Sequence, residues 1–302
     1  MSLTEFCSHA SAPGVDIAAR TLLLADVLIA GPPNFEHSTP FAWQFGVCGV
    51  GVLLNERGIL APALFNTKIS PNVFTPVDSE LIDVITSLLD STPAWLGEVR
   101  FVGVDPPVPQ ISPGDSITCP NLSGSAGCNV AWSGKVGFLT AGHVAGSRLG
   151  LCSTVGSQVG SIVYSNDPSN HGASIEADIA LVELHPGQTV QNVFKNPASA
   201  GPNEPIRVVT TQTGARNYLG TNVRGYSRWQ YSPALNGTWG DVYLTTKVVT
   251  QPGNSGTPAI DSSNGVLGHV VGAIPNFSTM IQDISYQLSV ISQQIVFARI
   301  KL

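Results

Sequence analysis

From about Ser116 onward the chain is written in short apolar runs, each closed by glycine, serine, asparagine or proline. Val130–Trp132, Val136–Thr140, Gln158–Val163 and Ile179–Leu184 form one set, and Ile206–Thr210, Val242–Thr246, Ser255–Ile260 and Val266–Val271 a second. Runs this short, with turn formers between them, are strands rather than helices. The composition agrees: 11% of residues are charged, 43% are hydrophobic, and there are 31 glycines and 22 prolines. Few charges and many turn formers argue against a helical bundle and against a disordered chain. Two sets of short strands fit two packed small β-barrels. The stretch 186–205 carries Pro186, Pro197, Pro202 and Pro205 and reads as the crossing between them. Tyr286 to Val296 fits a terminal helix or strand, and periodicity does not decide.

The first 115 residues differ in character. Over 14–30, Val15, Ala18, Ala19, Leu22, Leu23 and Val27 recur at helical spacing, and Gly31, Pro32 and Pro33 stop the helix. Residues 45–54 read as a glycine-rich strand, with a return strand over Ile59–Phe65. Asp78 or Ser79 can cap a helix running to about Leu89, and Glu98–Val104 reads as a further strand. This order suggests a small α+β unit. The proline-rich segment 105–114 then marks a boundary, giving expected domains 1–115 and 116–302, with a first barrel at about 116–185 and a second at about 200–300.

Net charge is −6, and no basic block or arginine–aromatic stripe points to nucleic acid. Trp229, near Arg224 and Arg228, reads as part of a surface loop. The apolar stretch Ile17–Ala30 is interrupted by Arg20 and Asp26 and is too short to span a bilayer, so no membrane partner is expected. The five cysteines, Cys7, Cys48, Cys119, Cys128 and Cys152, are odd in number and favour reduced thiols, with a Cys119–Cys128 bridge as the alternative. None sits at metal-site spacing with histidines, so no metal or cofactor is expected. The N-terminus lacks a basic region before its apolar stretch, so a cytoplasmic location is expected. The apolar surplus is compatible with a homo-oligomer.

Three motifs carry chemistry. FLTAGHV at 138–144 puts His143 at the end of an apolar strand. EADIALVEL at 176–184 puts Asp178 at the start of another, and QPGNSGTP at 251–258 puts Ser255 in a glycine-flanked loop. A serine hydroxyl needs a histidine to take its proton, and that histidine needs a fixed tautomer. Ser255 is therefore the candidate nucleophile, His143 the general base and acid, and Asp178 the orienter. Asp167 and Glu176 compete for the orienter's role, but Asp178 directly precedes the strand core. Gly253 and Ser255 can aim their N–H groups at a developing oxyanion, where each donor is worth about 2.7–4 kcal/mol. The remaining histidines, His9, His37, His171 and His185, read as surface or loop residues.

The three motifs TAGH at 140–143, DIAL at 178–181 and GNSGTP at 253–258 resemble those of the trypsin/chymotrypsin-like serine peptidases over about 116–300. Asn254 and Thr257 look like bacterial members, glutamyl endopeptidases among them. The resemblance implies an all-β core of two packed six-stranded β-barrels, preceded here by the small α+β region. A second resemblance, to the intracellular narrow-leaf-like plant and bacterial peptidases, rests on Lys135-Val-Gly-Phe-Leu-Thr, Glu176-Ala-Asp and the glycine-rich N-terminal strand. In the resembled family the residue six before the nucleophile floors the substrate pocket. Here it is Val249, with Val270 and Val271 as expected lining, which argues against cleavage after lysine or arginine. His269 lies one residue from the place of a substrate-reading histidine in glutamyl-specific relatives, and a one-residue offset reverses its direction. It reads as structural.

The expected function is a serine endopeptidase acting on proteins or peptides after uncharged residues, without a cofactor. The alternative is a silent or partner-activated peptidase fold that works by binding or assembly, with residues 1–115 covering the groove, building an interface or serving as a support.

Overall fold

The computed structural model describes residues 2–9, 14–32, 41–54, 58–89, 93–104, 116–119, 122–146, 150–154, 157–170, 175–187, 196–212, 215–232 and 237–294. The proline-rich segment 105–114 and residues 188–195 of the crossing 186–205 lie outside them. The N-terminal half holds α1 (Leu3–Ser8), α2 (Gly14–Ala30), β1 (Val47–Leu54), β2 (Leu60–Asn66), β3 (Phe74–Pro76), α3 (Ser79–Leu88) and β4 (Arg100–Gly103). Next come β5 (Ser116–Thr118), β6 (Ser123–Ser125), β7 (Asn129–Trp132), β8 (Lys135–Thr140), α4 (Gly142–Ala145), β9 (Leu151–Thr154), β10 (Ser157–Asn166) and β11 (Ile179–Leu184). The chain finishes with β12 (Pro205–Gln212), β13 (Ala215–Ser232), β14 (Gly237–Thr245), β15 (Pro258–Ile260), β16 (Val266–Ile274), β17 (Ser278–Asp283) and α5 (Ile284–Gln294).

These strands build two sheets. Seven join in the order β6-β5-β9-β10-β11-β8-β7, an open, half-barrel sheet among the described residues. Ten join in the order β12-β15-β16-β17-β14-β13-β1-β2-β4-β3, and β12 also pairs with β13. The second sheet is mixed, because β4 runs parallel to β2 while the other pairs are antiparallel. This corrects the expected pair of six-stranded barrels behind a small α+β region. The N-terminal strands are not a preceding unit: β1 pairs with β13 from Gly49–Gln230 to Leu53–Gly225 and extends the second sheet. Helices also occur beyond the N-terminal part, at α4 and α5.

The strand that makes this possible, β13, is 18 residues long and contains the Arg224–Trp229 patch that the sequence reads as a surface loop. Its sequence is polar, but its edges are covered by β12 and β1 on one side and β14 on the other. Trp229 is fully buried rather than at a surface, Arg228 pairs with Asp241 at 2.9 Å, and the Arg224 guanidinium lies 4.3 Å from the centre of the Phe277 ring.

Local rules explain the helices. Asp78 caps α3, its side chain accepting from the N–H of Leu81 at 2.9 Å. Ser2 and Glu5 form a reciprocal capping box on α1. The face of α2 differs from expectation: Ala18, Thr21, Leu24, Ala25 and Leu28 are buried, while Val15 and Leu23 are exposed. Nearly every position of α2 is apolar, so periodicity could not choose a face. Thr21 enters the core because its hydroxyl donates to the Ile17 carbonyl at 2.8 Å. Leu3, Phe6 and Cys7 of α1 are buried in the cluster that contains Tyr226, Tyr243, Val270 and Ile281. Phe6 stacks at 5.4 Å from Tyr226. All five cysteines are buried and free, and the sulfur 2.7 Å from Cys119 is that of Cys152, not of Cys128.

Candidate functional site

β8 ends in Thr140, and the chain turns at once into the single-turn α4 that carries His143. The turn is tight: a Cβ on Gly142 would stand 1.8 Å from the Asn166 carbonyl oxygen, so only glycine fits. His143 is 5% exposed, and Asp178, just before β11, is fully buried. β8 and β11 are neighbours, Ala180 opposite Thr140, which brings the two motifs together. Asp178 Oδ1 accepts from the His143 backbone N–H at 2.9 Å, and Oδ2 lies 2.6 Å from His143 Nδ1. Burial alone would lower the His143 pKa, but the charge and hydrogen bond of Asp178 outweigh it and hold the imidazole above its usual value. With Nδ1 committed to Asp178, His143 Nε2 is buried and has no hydrogen-bond partner among the described residues.

The loop 251–257 is clamped beside this pair. Ser125 of β6 donates its Oγ to the Gly253 carbonyl and its N–H to the Ser255 carbonyl, both at 2.7 Å. The Ser125 carbonyl in turn accepts from Thr140 Oγ1 at 2.8 Å, so one residue links the Ser255 loop to the strand leading into His143. On the far side, Gly256 N–H donates to the Val270 carbonyl of β16 and Val270 N–H donates to the Thr257 carbonyl, both at 2.8 Å. Gly253 and Gly256 have φ of 95° and 89°, the left-handed region that glycine tolerates. Asn254 closes the turn through its Oδ1, which accepts from Gln251 N–H at 2.9 Å. Ser255 is fully buried.

The two competing carboxylates are occupied elsewhere. Asp167 Oδ1 accepts from Ser169, and Glu176 Oε2 accepts from Asn166 Nδ2 at 3.0 Å. The pocket residues are only partly brought together. Val249 is half-buried and packs on the cluster that holds Val270, whereas Val271 belongs to a different cluster, as neighbours in a strand face opposite ways. Thr250 and Thr279, unnoticed in the sequence, stand at Val249: Thr279 Oγ1 accepts from its N–H at 3.0 Å and lies 3.0 Å from Thr250 Oγ1.

His269 is fully buried, with Nε2 accepting from Cys128 N–H at 3.1 Å and Nδ1 2.8 Å from Gln287 Oε1. Burial lowers its pKa to about 4, so it is neutral. Its role is one of support, because Gln287 Nε2 passes the network on to the Asp178 carbonyl at 3.1 Å. Three further contacts to Asp178 or its segment escaped the sequence reading: Trp239, Gln282 and Gln287. Only their side-chain positions in the folded chain reveal them.

No family model matches the chain, and no curated protein matches it. Among solved structures it is similar to Thermobifida fusca Protease A, with 19% identity over 64% of this chain and 97% of that chain and a TM-score of 0.49. It is likewise similar to a Nocardiopsis protease, with 21% identity, 60% and 95% coverage and a TM-score of 0.47. A glutamic acid specific serine protease shows 20% identity, 59% and 97% coverage and a TM-score of 0.47. The solved structures to which this chain is similar include trypsin/chymotrypsin-like serine proteases.

Proposed function

We propose that this chain is a serine peptidase that cleaves peptide bonds through an acyl-enzyme, with Ser255 as nucleophile, His143 as general base and acid, and Asp178 as orienter. The observation that carries the reading is the buried His143–Asp178 pair, whose Nε2 has no hydrogen-bond partner among the described residues, with the Ser255 loop clamped beside it through Ser125. In the attack, Ser255 Oγ bonds to the scissile carbonyl carbon and its proton passes to His143 Nε2. Asp178 stabilises the imidazolium so formed. The N–H groups of Gly253 and Ser255 would hold the oxyanion, and His143 then gives its proton to the departing amine. Water repeats the sequence to release the acid. No metal or organic group is needed for these steps.

The substrate class is a protein or peptide with an uncharged residue before the cut. The side chains gathered at Val249, namely Thr250, Thr279 and Val270, carry no charge that would pair with a lysine, arginine or glutamate. Profiling the wild-type chain and Ser255→Ala with a diverse peptide library tests both parts. Cleavage after apolar or small residues, lost in the variant, is the expected result. Cleavage that survives Ser255→Ala removes the nucleophile, and a profile dominated by arginine or glutamate removes the pocket.

A further inference from the structure

Asp178 has a donor that the three-residue mechanism does not use. Trp239 of β14 is 2% exposed, and its Nε1–H donates to Asp178 Oδ2 at 2.8 Å. The same oxygen faces His143 Nδ1 at 2.6 Å. The backbone of Asp178 is held by other groups, its N–H by Gln282 Oε1 at 2.6 Å and its carbonyl by Gln287 Nε2 at 3.1 Å. The indole therefore acts on the carboxylate and not on the chain that carries it. A carboxylate oxygen that accepts from two donors at once is fixed in plane, and its charge is shared between them.

The indole is itself held on two sides. The segment before Asp178 runs along β14 as a parallel bridge, Glu176 opposite Trp239, with Glu176 N–H donating to Thr238 at 2.9 Å and Gly240 N–H to Glu176 at 3.2 Å. The ring belongs to the same packed cluster as Cys48 of β1, Phe65 of β2 and Val102 of β4. The N-terminal strands thus help to seat the residue that touches Asp178.

We propose that Trp239 is a positioning residue, whose indole N–H aims the Asp178 carboxylate at His143 and so secures its hold on the imidazolium. The proposal deepens the peptidase reading and rests on it for its effect on rate. A purely structural role, in which a buried indole N–H simply finds an acceptor, makes a different prediction.

The test uses the full chain with Trp239→Phe, and with Trp239 replaced by 3-benzothienylalanine, which keeps the ring shape and puts sulfur in place of the N–H. Two readouts are taken: kcat and KM on a fluorogenic peptide across pH, and the NMR titration of His143 in a Ser255→Ala background, which needs no turnover. Loss of one hydrogen bond to a charged group should lower kcat about tenfold. KM should change by no more than about twofold, because the bond acts in the transition state rather than on bound substrate. The His143 midpoint and the acid limb of the rate profile should both move to lower pH, since a carboxylate no longer aimed at the ring holds the imidazolium less tightly. An unchanged kcat and an unmoved midpoint in the benzothienyl variant overturn the proposal, as does a rise in KM alone. If Trp239→Phe fails to fold, the benzothienyl variant decides. If the wild-type chain hydrolyses nothing and yet the midpoint moves, the peptidase reading fails while the action of Trp239 on the pair stands.

Discussion

The backbone N–H of Asp178 donates to the side-chain oxygen of Gln282 at 2.6 Å. Asp178 precedes β11 of the seven-stranded sheet and Gln282 lies on β17 of the ten-stranded one, so this bond crosses from one sheet to the other. Gln282 also donates to the carbonyls of Glu176 and Gly240, at 3.0 and 2.9 Å. The amide is fully buried and uses its oxygen and its nitrogen. His143 is placed by the first sheet and Asp178 is held in large part by the second. The pair is thus brought together within the first sheet and braced by the second.

Asp178→Asn should leave the fold in place and lower kcat by about four orders of magnitude, because an amide stabilises the wrong imidazole tautomer and offers no charge to the imidazolium. Steady-state kinetics beside circular dichroism checks this. A loss of less than about tenfold would move the orienting role to another carboxylate.

The pH profile should carry the mark of His143. Its neutral form takes the serine proton, and Asp178 holds its pKa above the usual value. Accordingly kcat/KM should rise with pH with a midpoint above about 6.5. Asp178→Asn should move that midpoint down. In stability the same pair works in the other direction, contributing fully below about 6.5 and fading as pH rises through the folded value.

His269 should show itself in stability rather than in rate. Folded, it titrates near about 4; unfolded, it returns to its ordinary value. Between about 6.5 and 4 the unfolded chain takes up a proton that the folded chain does not, so stability falls with pH by about 3 kcal/mol over that window. Urea unfolding of wild type and His269→Gln across this range should give a shallower pH dependence for the variant. Parallel curves would mean that the buried imidazole carries its proton in the fold.

Phe6 should matter although it lies far from the motifs in sequence. It is fully buried against Tyr226 and Tyr243, inside the ten-stranded sheet's core. Phe6→Ala should cost about 3–5 kcal/mol. Deletion of residues 1–115 should yield no cooperatively folded protein, since it also strips β1 from β13. Thermal melts test both, and a truncated chain that melts sharply would contradict the shared sheet.

Where the sequence is strongly patterned it was legible: α2 and α3, the β1–β2 hairpin, and the short strands of the second half. The three motifs were readable for the same reason, because their apolar runs, and the glycines beside His143 and Ser255, are local. β13 was not legible, since its burial comes from neighbours on both edges rather than from its own polar sequence. Nor was the merging of β1 to β4 into the second sheet, which depends on pairing across more than 170 residues, as in Gly49 with Gln230. Trp239, Gln282 and Gln287 look like ordinary strand and helix residues until the two sheets are docked. The face of α2 was lost to an excess of apolar residues, and the pocket to the alternation that separates Val270 from Val271.

The most direct test of the account is to treat the full-length protein with a biotinylated fluorophosphonate, digest it and map the modified residue by mass spectrometry. The account predicts a single adduct on Ser255, absent from Ser255→Ala and strongly slowed in His143→Ala. An adduct on another residue, or equal labelling of wild type and His143→Ala, would contradict it.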